Sequence, residues 1–245
     1  MLKNKMKIML LASLMIGSSA DAIGIDQMIK FSENGEATFS ITNNDGYRQY
    51  ISAYISDVKV KDGELTYIPY TRDNISDWSL EIRPPRTVID DKMRKSFKAV
   101  HKATVSNENY DQVYQITFVP TPYFPEGKSA EHAVQVAVGF APLLVVPAKK
   151  DQPLDFVMSY KNDEVQINSS GGSYLNVFIN TCPITAVGEE RNKCYKVVYA
   201  LKDRNLKVVL TPEMLAADKL QVEVRTHNGD YKEKFILTPG QTIKK

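Results

Sequence analysis

The feature that most constrains this sequence is a period-two pattern in the segment 133–146. Large apolar residues occupy alternate positions, namely Val134, Val136, Val138 and Phe140, and the positions between them hold Ala, Gln, Ala and Gly. Because successive side chains of a strand point to opposite faces, the pattern predicts a strand with one row of large side chains and one nearly flat face. We expect the flat face to pack on the protein's own core and the row to contact a second polypeptide. The alternative is that the row faces the protein's own core, as in an ordinary inner strand.

The first 22 residues have the pattern of a secretory signal peptide. Three lysines precede an apolar run at residues 8–16, and Ala20-Asp21-Ala22 has the small residues typical of a cleavage site. The apolar run is too short to span a bilayer. We therefore expect residues 1–22 to be a leader that is cleaved after Ala22, and the mature chain to be exported.

The charge balance favours neither nucleic acid nor an anionic membrane as a partner. The chain has 31 basic and 29 acidic residues, and three of the lysines and one aspartate lie in the leader. The expected mature chain therefore has 28 of each sign and no net charge. No later apolar run approaches the length that spans a bilayer, so we expect no membrane insertion.

Short alternating segments fill the rest of the chain. Seven of them, separated by turn sequences such as Asn43-Asn44-Asp45-Gly46, precede residue 147 and predict an immunoglobulin-like β-sandwich. The stretch 147–153 begins and ends with Pro and reads as a linker, and the strand pattern restarts after it. We predict two β-sandwich domains, at residues 23–148 and 149–245.

Two cysteines, Cys182 and Cys194, lie in the second predicted domain. Export favours a disulfide between them, and closing a loop of this size stabilises a fold by about 3 kcal/mol on the chain-entropy model. The alternatives are two free thiols or half of a metal site. No histidine or further cysteine lies at a spacing that suggests a zinc cluster.

The sequence contains no pattern of catalytic residues. His101, His132 and His227 are scattered, and no nucleophile elbow, phosphate loop or dinucleotide fingerprint occurs. We therefore expect a protein that is not an enzyme and that needs no metal and no cofactor.

Four segments, in this order, carry a family resemblance. They are the Pro-containing stretch Trp78–Ile89, the alternating strand Val113–Phe118, the segment 133–146 running into Pro147, and the cysteine pair. With them the chain resembles the periplasmic chaperones of the chaperone–usher pilus pathway, the PapD-like superfamily, on the alternate or alpha branch that serves colonisation-factor-type fimbriae. The expected fold class is all-β, with two immunoglobulin-like β-sandwich domains in tandem, arranged in an L.

The resemblance implies a function. Such a chaperone binds, folds and caps fimbrial subunits, including the adhesin, and delivers them to an outer-membrane usher. It lends an edge strand to a subunit that lacks the last strand of its own fold, which is donor-strand complementation. The implied donor residues are Val134, Val136, Val138 and Phe140. The free chaperone is a further implied partner, since self-association would hide the same edge.

The chain departs from the family in one respect. Many members hold the terminal carboxylate of the subunit with an Arg on the first strand and a Lys on the donor strand. Here the segment 133–146 has no Lys or Arg, and Pro142 stands where the Lys is expected. The remaining candidate anchors are Lys30, Arg83, Arg86 and Lys149.

Two other functions stay open on the sequence alone. A structural pilus subunit or adhesin would carry an N-terminal donor extension of alternating apolar residues, and the segment Ile23–Phe31 is too short and irregular for that. An exported hydrolase on a β-sandwich would need a catalytic constellation, which the residue pattern does not supply.

Overall fold

The computed structural model describes residues 22–102, 109–123 and 138–245, and this part of the chain is built almost entirely from strands. The strands before the linker are β1 (Gly24–Ile25), β2 (Ile29–Phe31), β3 (Glu36–Thr42), β4 (Gln49–Lys61), β5 (Glu64–Pro69), β6 (Leu80–Arg83), β7 (Arg86–Ile89), β8 (Arg94–His101), β9 (Gln112–Pro122) and β10 (Leu143–Val146). Those after it are β11 (Phe156–Lys161), β12 (Glu164–Ser169), β13 (Leu175–Asn180), β14 (Tyr195–Ala200), β15 (Asn205–Val209), β16 (Leu220–Arg225), β17 (Lys232–Leu237) and β18 (Thr242–Lys244). The helices are α1 (Gly188–Cys194), α2 (Pro212–Leu215) and a 3₁₀ turn at Arg72–Asp77.

The first sandwich packs two sheets face to face. One sheet has the order β1-β3-β8-β6, and the other has the order β2-β10-β9-β4-β5, with β7 also paired to β4. Phe39 on β3 and Phe97 on β8 pack against Phe118 on β9, with ring centroids 5.9 and 4.9 Å apart. All three side chains are fully buried, because each sits at an inward position of an alternating strand.

The second sandwich repeats the architecture. Its sheets have the orders β15-β12-β11-β18 and β14-β13-β16-β17. Inward residues of both sheets form one buried cluster that includes Phe156, Met158 and Val177, and Met214 of α2 closes one side of it. The two tandem β-sandwiches confirm the predicted fold class.

Most of the described alternating segments form the strands that the pattern predicts. The exception is the segment 133–146, in which the named strand covers only Leu143–Val146 and residues 133–137 lie outside the described residues. The elements that the sequence does not predict are short. The Pro pair separates β6, which pairs with β8 in one sheet, from β7, which pairs with β4 in the other, and the Arg83–Pro84 peptide bond is cis. The sequence also indicates one helical turn after Pro212, and α2 confirms it. The segment between the two cysteines is polar, and the sequence predicts a loop there, but the structure has the helix α1. Its signal is the order of charges, with Glu189 and Glu190 in the first turn and Arg191 and Lys193 in the last, which suits the helix dipole.

Candidate functional site

Strand β10 lies between two neighbours in the sheet. It pairs antiparallel with β9 along all four of its residues, and parallel with β2 from Leu143 to Val145. The β2 contact continues at both ends, where Leu143 N–H donates to the Met28 carbonyl (2.9 Å) and Ser32 N–H donates to the Val145 carbonyl (2.9 Å). Toward its N-terminal side, β10 therefore loses the cover of β2 just before Leu143.

The ladder to β9 extends further than β10 itself. Phe140 and Phe118 exchange two backbone hydrogen bonds of 2.7 and 3.0 Å, and Ile116 N–H donates to the Pro142 carbonyl (3.0 Å). These contacts keep the register of β10, so no bulge intervenes. Pro142 has no N–H to return, which leaves one bond of this pair unmade. The segment from Phe140 to Val146 thus keeps one register against β9, and only its part before Leu143 lies at an edge that β2 does not cover.

The register decides which face each side chain occupies. Phe140 lies opposite Phe118 and Leu144 lies opposite Tyr114, and both of these β9 side chains are in the core of the first sandwich. Directly opposed residues share a face, so Phe140, the described large residue of the row that is paired with β9, points to the core side. This differs from the expectation that the flat face would be the one on the core.

The row nevertheless leaves the core along its length. Leu144 is fully buried, Phe140 is partly buried, and Val138 is 59% exposed. Val134 and Val136 lie outside the described residues. At Val138 the core-side face of the strand is therefore no longer covered by its own sandwich. The apolar side chain is exposed to solvent, where the core of a partner could bury it.

The backbone N–H and C=O of Ala141 point away from β9. Its neighbours Phe140 and Pro142 both direct theirs to β9, so the residue between them directs its N–H and C=O to the opposite side. On that side β2 has not yet begun. Among residues 22–102, 109–123 and 138–245 no hydrogen-bond partner for Ala141 occurs. The edge therefore carries open backbone hydrogen-bonding capacity beside the apolar row.

Gly139 explains why this edge can approach β9 so closely. A Cβ placed on it would lie 2.9 Å from the Phe118 carbonyl oxygen, which is closer than such atoms normally come. A side chain at this position would therefore push the strand away from β9, and a glycine at this position of the pattern avoids the clash.

The four candidate carboxylate anchors have different surroundings. Lys30 donates to Asp26 (2.6 Å) and to the Thr38 carbonyl. Burial raises the pKa of Asp26, but the bonds from Lys30 and from the Ser40 N–H outweigh it and leave that pKa lowered. Lys30 thus ties the first strands together, and holding a subunit carboxylate would require it to leave Asp26.

The two arginines are exposed, Arg83 at the end of β6 and Arg86 at the start of β7. Arg83 makes two hydrogen bonds to Glu81, of 2.8 and 2.9 Å, and this carboxylate raises the pKa of Arg83. Lys149, by contrast, lines a cleft of about 670 Å³ between the two sandwiches, together with Ser32, His101 and His227 among others. The structure thus brings only Lys149, of these four candidates, to the cleft.

The two cysteines are joined. Cys182 and Cys194 form a disulfide with a Cα–Cα distance of 4.9 Å, which confirms the predicted pairing. It closes the loop that contains α1 at the end of the β13–β14 hairpin. Within the described ranges, no group of three or more His, Cys, Asp or Glu side chains could hold a metal ion, and no helix is long and apolar enough to cross a membrane.

Solved fimbrial chaperone complexes share this fold. A chain of a chaperone–tip adhesin complex of CFA/I fimbriae biogenesis has a TM-score of 0.52 and 14% identity, over 89% of this chain and 98% of its own. The pilin SafA–chaperone SafB complex of Salmonella enterica gives 0.51 and 12%, over 90% and 98%. The CsuC–CsuE chaperone–tip subunit complex of Acinetobacter baumannii gives 0.50 and 10%, over 90% and 100%. These matches show that the chain shares its two-domain β-sandwich fold with chains of these complexes.

The family is identified by sequence. The family model described as CS5 fimbrial protein N-terminal domain matches residues 25–147, which is half of the chain. The chain therefore belongs to the CS5 fimbrial protein family. No curated protein sequence matches it significantly.

Proposed function

We propose that this protein is a periplasmic chaperone, not an enzyme, that captures and caps fimbrial subunits by donor-strand complementation. The observation that carries the proposal is the row at the edge of the first sandwich. The face that the row shares with Leu144 is buried at Leu144, keeps one register against β9 through Phe140, and is exposed at Val138, whose side chain is 59% exposed. An apolar row that leaves its own core beside open backbone groups fits a partner whose own core is missing a strand.

The donor residues in this proposal are Val134, Val136, Val138 and Phe140. Backbone hydrogen bonds from positions such as Ala141 would extend the client's sheet, and the alternate side chains would fill the gap in the client's core. Burying each valine is worth about 1.5–3 kcal/mol before the costs of ordering. The face shared with Leu144 lets the chaperone and client cores merge along one strand.

Family membership and the fold neighbours support this choice of client. The family is fimbrial, and the neighbours include chaperones solved with a pilin and with tip adhesin subunits. We infer that pilins and the adhesin are clients of this chain too. Delivery to an outer-membrane usher belongs to the same proposal, as do self-association of the free chaperone and export by a leader at residues 1–22. The domain bounds 23–148 and 149–245 stay predictions.

The anchor of the client's terminal carboxylate is proposed at Lys149. It lies in the linker and lines the cleft between the sandwiches, which the other three candidates do not line. A cation in a cleft lined by both domains can approach a chain end that runs between them. Lys30, Arg83 and Arg86 remain lesser candidates for the same role.

The test places a charge on the row. Val136→Asp and Val138→Asp should each weaken capture of a purified fimbrial subunit at least about 100-fold, because an unpaired carboxylate would enter the client's core. The fold should survive at position 138, which is largely exposed. Capture is measured by co-purification and by suppression of subunit aggregation. Full capture by folded Val136→Asp and Val138→Asp variants would refute the donor role.

A matched control exists in the second sandwich. Val209 is also 59% exposed and lies on β15, an edge strand of its sheet. Val209→Asp should leave capture unchanged, because the same charge is introduced at equal exposure but away from the row. An equal loss in this variant would show that the charge acts on solubility rather than on a donor strand.

A further inference from the structure

The two sandwiches meet at an apolar contact. Val145 of β10, together with Tyr174 and Leu201 of the second sandwich, forms a buried cluster against which Ile29, Phe31, Leu65, Val113 and Tyr199 pack. The rings of Phe31 and Tyr174 stack with centroids 4.6 Å apart. Such a contact holds two domains together, but apolar surfaces are not directional and do not by themselves fix an angle.

One polar clamp lies at the linker end of this contact. The carboxylate of Asp111, at the start of β9, accepts hydrogen bonds from the N–H groups of Ala148 (2.7 Å) and Tyr174 (2.6 Å). The Asp111 N–H in turn donates to the Gly172 carbonyl (3.1 Å). The first sandwich, the linker and the second sandwich are thus joined at one point.

A second clamp lies at the tip of the β4–β5 hairpin. The Gly63 carbonyl accepts hydrogen bonds from the Asn205 N–H (3.1 Å) and from the Arg204 guanidinium (3.1 Å). Arg204 also binds the Glu64 carboxylate at 2.6 Å, and the Arg204 side chain is only 20% exposed. Strand β4 is 13 residues long, so it carries this tip from the first sandwich to the second.

Gly63 fits its contact closely. Its φ is +81°, and a Cβ there would lie 2.3 Å from Nδ2 and 2.9 Å from Cβ of Asn205. A Cβ at this position would press on the Asn205 side chain, and glycine also accepts the positive φ of the turn, so the hairpin tip can reach the Asn205 N–H. The hairpin tip therefore makes a close, complementary contact with the second sandwich at Asn205.

We propose that the β4–β5 hairpin tip is a strut that fixes the angle between the two sandwiches, with Gly63, Glu64 and Arg204 as positioning residues for client capture. One clamp beside the linker leaves a rotation open, and a second clamp at a distance closes it. The strut is argued from these contacts, whereas its importance for capture rests on the proposed function. A domain pair that is set before the client arrives loses less freedom on binding.

The first experiment inserts a wedge. Gly63→Ala should push the tip away from Asn205, and residual dipolar couplings of the full chain should then report different alignment for the two sandwiches. Gly240→Ala is the control, since Gly240 also has a φ of +81° but no atom within 4 Å of its Cβ position. In the control and in the unmodified protein, one alignment should describe both sandwiches. A single alignment in Gly63→Ala would overturn the strut.

The second experiment leaves the hairpin backbone intact. Arg204→Met removes the bonds to Gly63 and Glu64, and it should separate the two alignments and weaken subunit capture about tenfold. Separated alignments with unchanged capture would refute the positioning role. If the unmodified protein captures no subunit, the proposed function fails, while the alignment data still decide the strut.

Discussion

Two strand edges of this molecule have opposite character. β17 lies at the edge of its sheet, and it carries Lys232, Glu233 and Lys234 in succession. The segment 133–146, which ends in β10, has Glu131 just before it but no charged residue within it. Charged side chains on an edge prevent other chains from pairing with it. The charges on β17 therefore protect that edge from pairing, and the sequence 133–146 carries no such protection.

The sandwiches also differ in how their strands end. In the second, the β13–β14 hairpin is closed by the Cys182–Cys194 disulfide. In the first, the ladder to β9 runs on past β10 to Phe140, with Val138 exposed beyond it. The second sandwich has a hairpin closed by a disulfide, and the first has a strand that ends in an exposed apolar residue. Such a difference suits a protein whose second domain is a stable support and whose first domain binds a client.

Opening the closed domain should have the largest effect on stability. The double variant Cys182→Ser, Cys194→Ser should lower the free energy of unfolding by about 3 kcal/mol, because the unfolded chain regains the freedom of the loop. Thermal unfolding measures this loss. Subunit capture well below the melting temperature should not change, since the loop lies away from the row. Mass spectrometry of the unmodified exported protein that finds two free thiols would contradict the premise.

Closing one backbone position of the open edge should have a smaller effect. Ala141→Pro removes an N–H that has no partner in the described chain, so the fold should keep its stability. Capture should weaken about tenfold, since one ladder bond to the client is lost. Titration calorimetry with a subunit measures the change. Ala141→Val keeps the N–H and should bind normally, and equal losses in the two variants would point to the side chain instead.

Removing the protection of β17 should make it resemble the donor edge. Lys232→Val with Lys234→Val leaves an apolar edge strand, and light scattering should show association that increases with protein concentration. The control is Lys59→Val with Lys98→Val, which removes two lysines from β4 and β8, strands paired on both sides. If both double variants associate equally, net charge, and not the charges on the β17 edge, is what opposes association.

The sequence predicts the strands well, because alternation records which residues face a core. It could not predict which face of the donor row is inward. Alternation defines two faces, and only the pairing of Phe140 with Phe118 decides between them. Nor could it predict the contact between Gly63 and Asn205, since that contact depends on how two separately folded sandwiches meet. The hydrogen bond from Lys30 to the Thr38 carbonyl could not be predicted from the sequence either, because it depends on the path of the first strands.

The smallest expected effects are on the pH dependence of stability, and they have opposite signs in two places. On β16, beside the edge strand β17, the hydrogen bond from Lys232 lowers the pKa of Glu223. Burial raises this pKa, but the hydrogen bond from Lys234 opposes burial, and the pKa stays lowered. The contribution of Glu223 is therefore present at neutral pH and is lost as the pH falls through that lowered value. At the linker clamp, burial raises the pKa of Asp111 against the bonds from Tyr174 and Ala148. That carboxyl binds its proton more tightly when folded, so its contribution is largest at low pH and declines as the pH rises.

Urea unfolding of the unmodified protein, Glu223→Gln and Asp111→Asn between about pH 7 and pH 3 separates the two groups. The advantage of the unmodified protein over Glu223→Gln should shrink as the pH falls, by less than about 1 kcal/mol because the pair is largely exposed. Relative to Asp111→Asn, the unmodified protein should instead gain stability on the same acid side. Differences that run in the same direction for both variants would mean that Asp111 is held mainly by its two N–H donors, and that the linker clamp is an ordinary charge-stabilised contact.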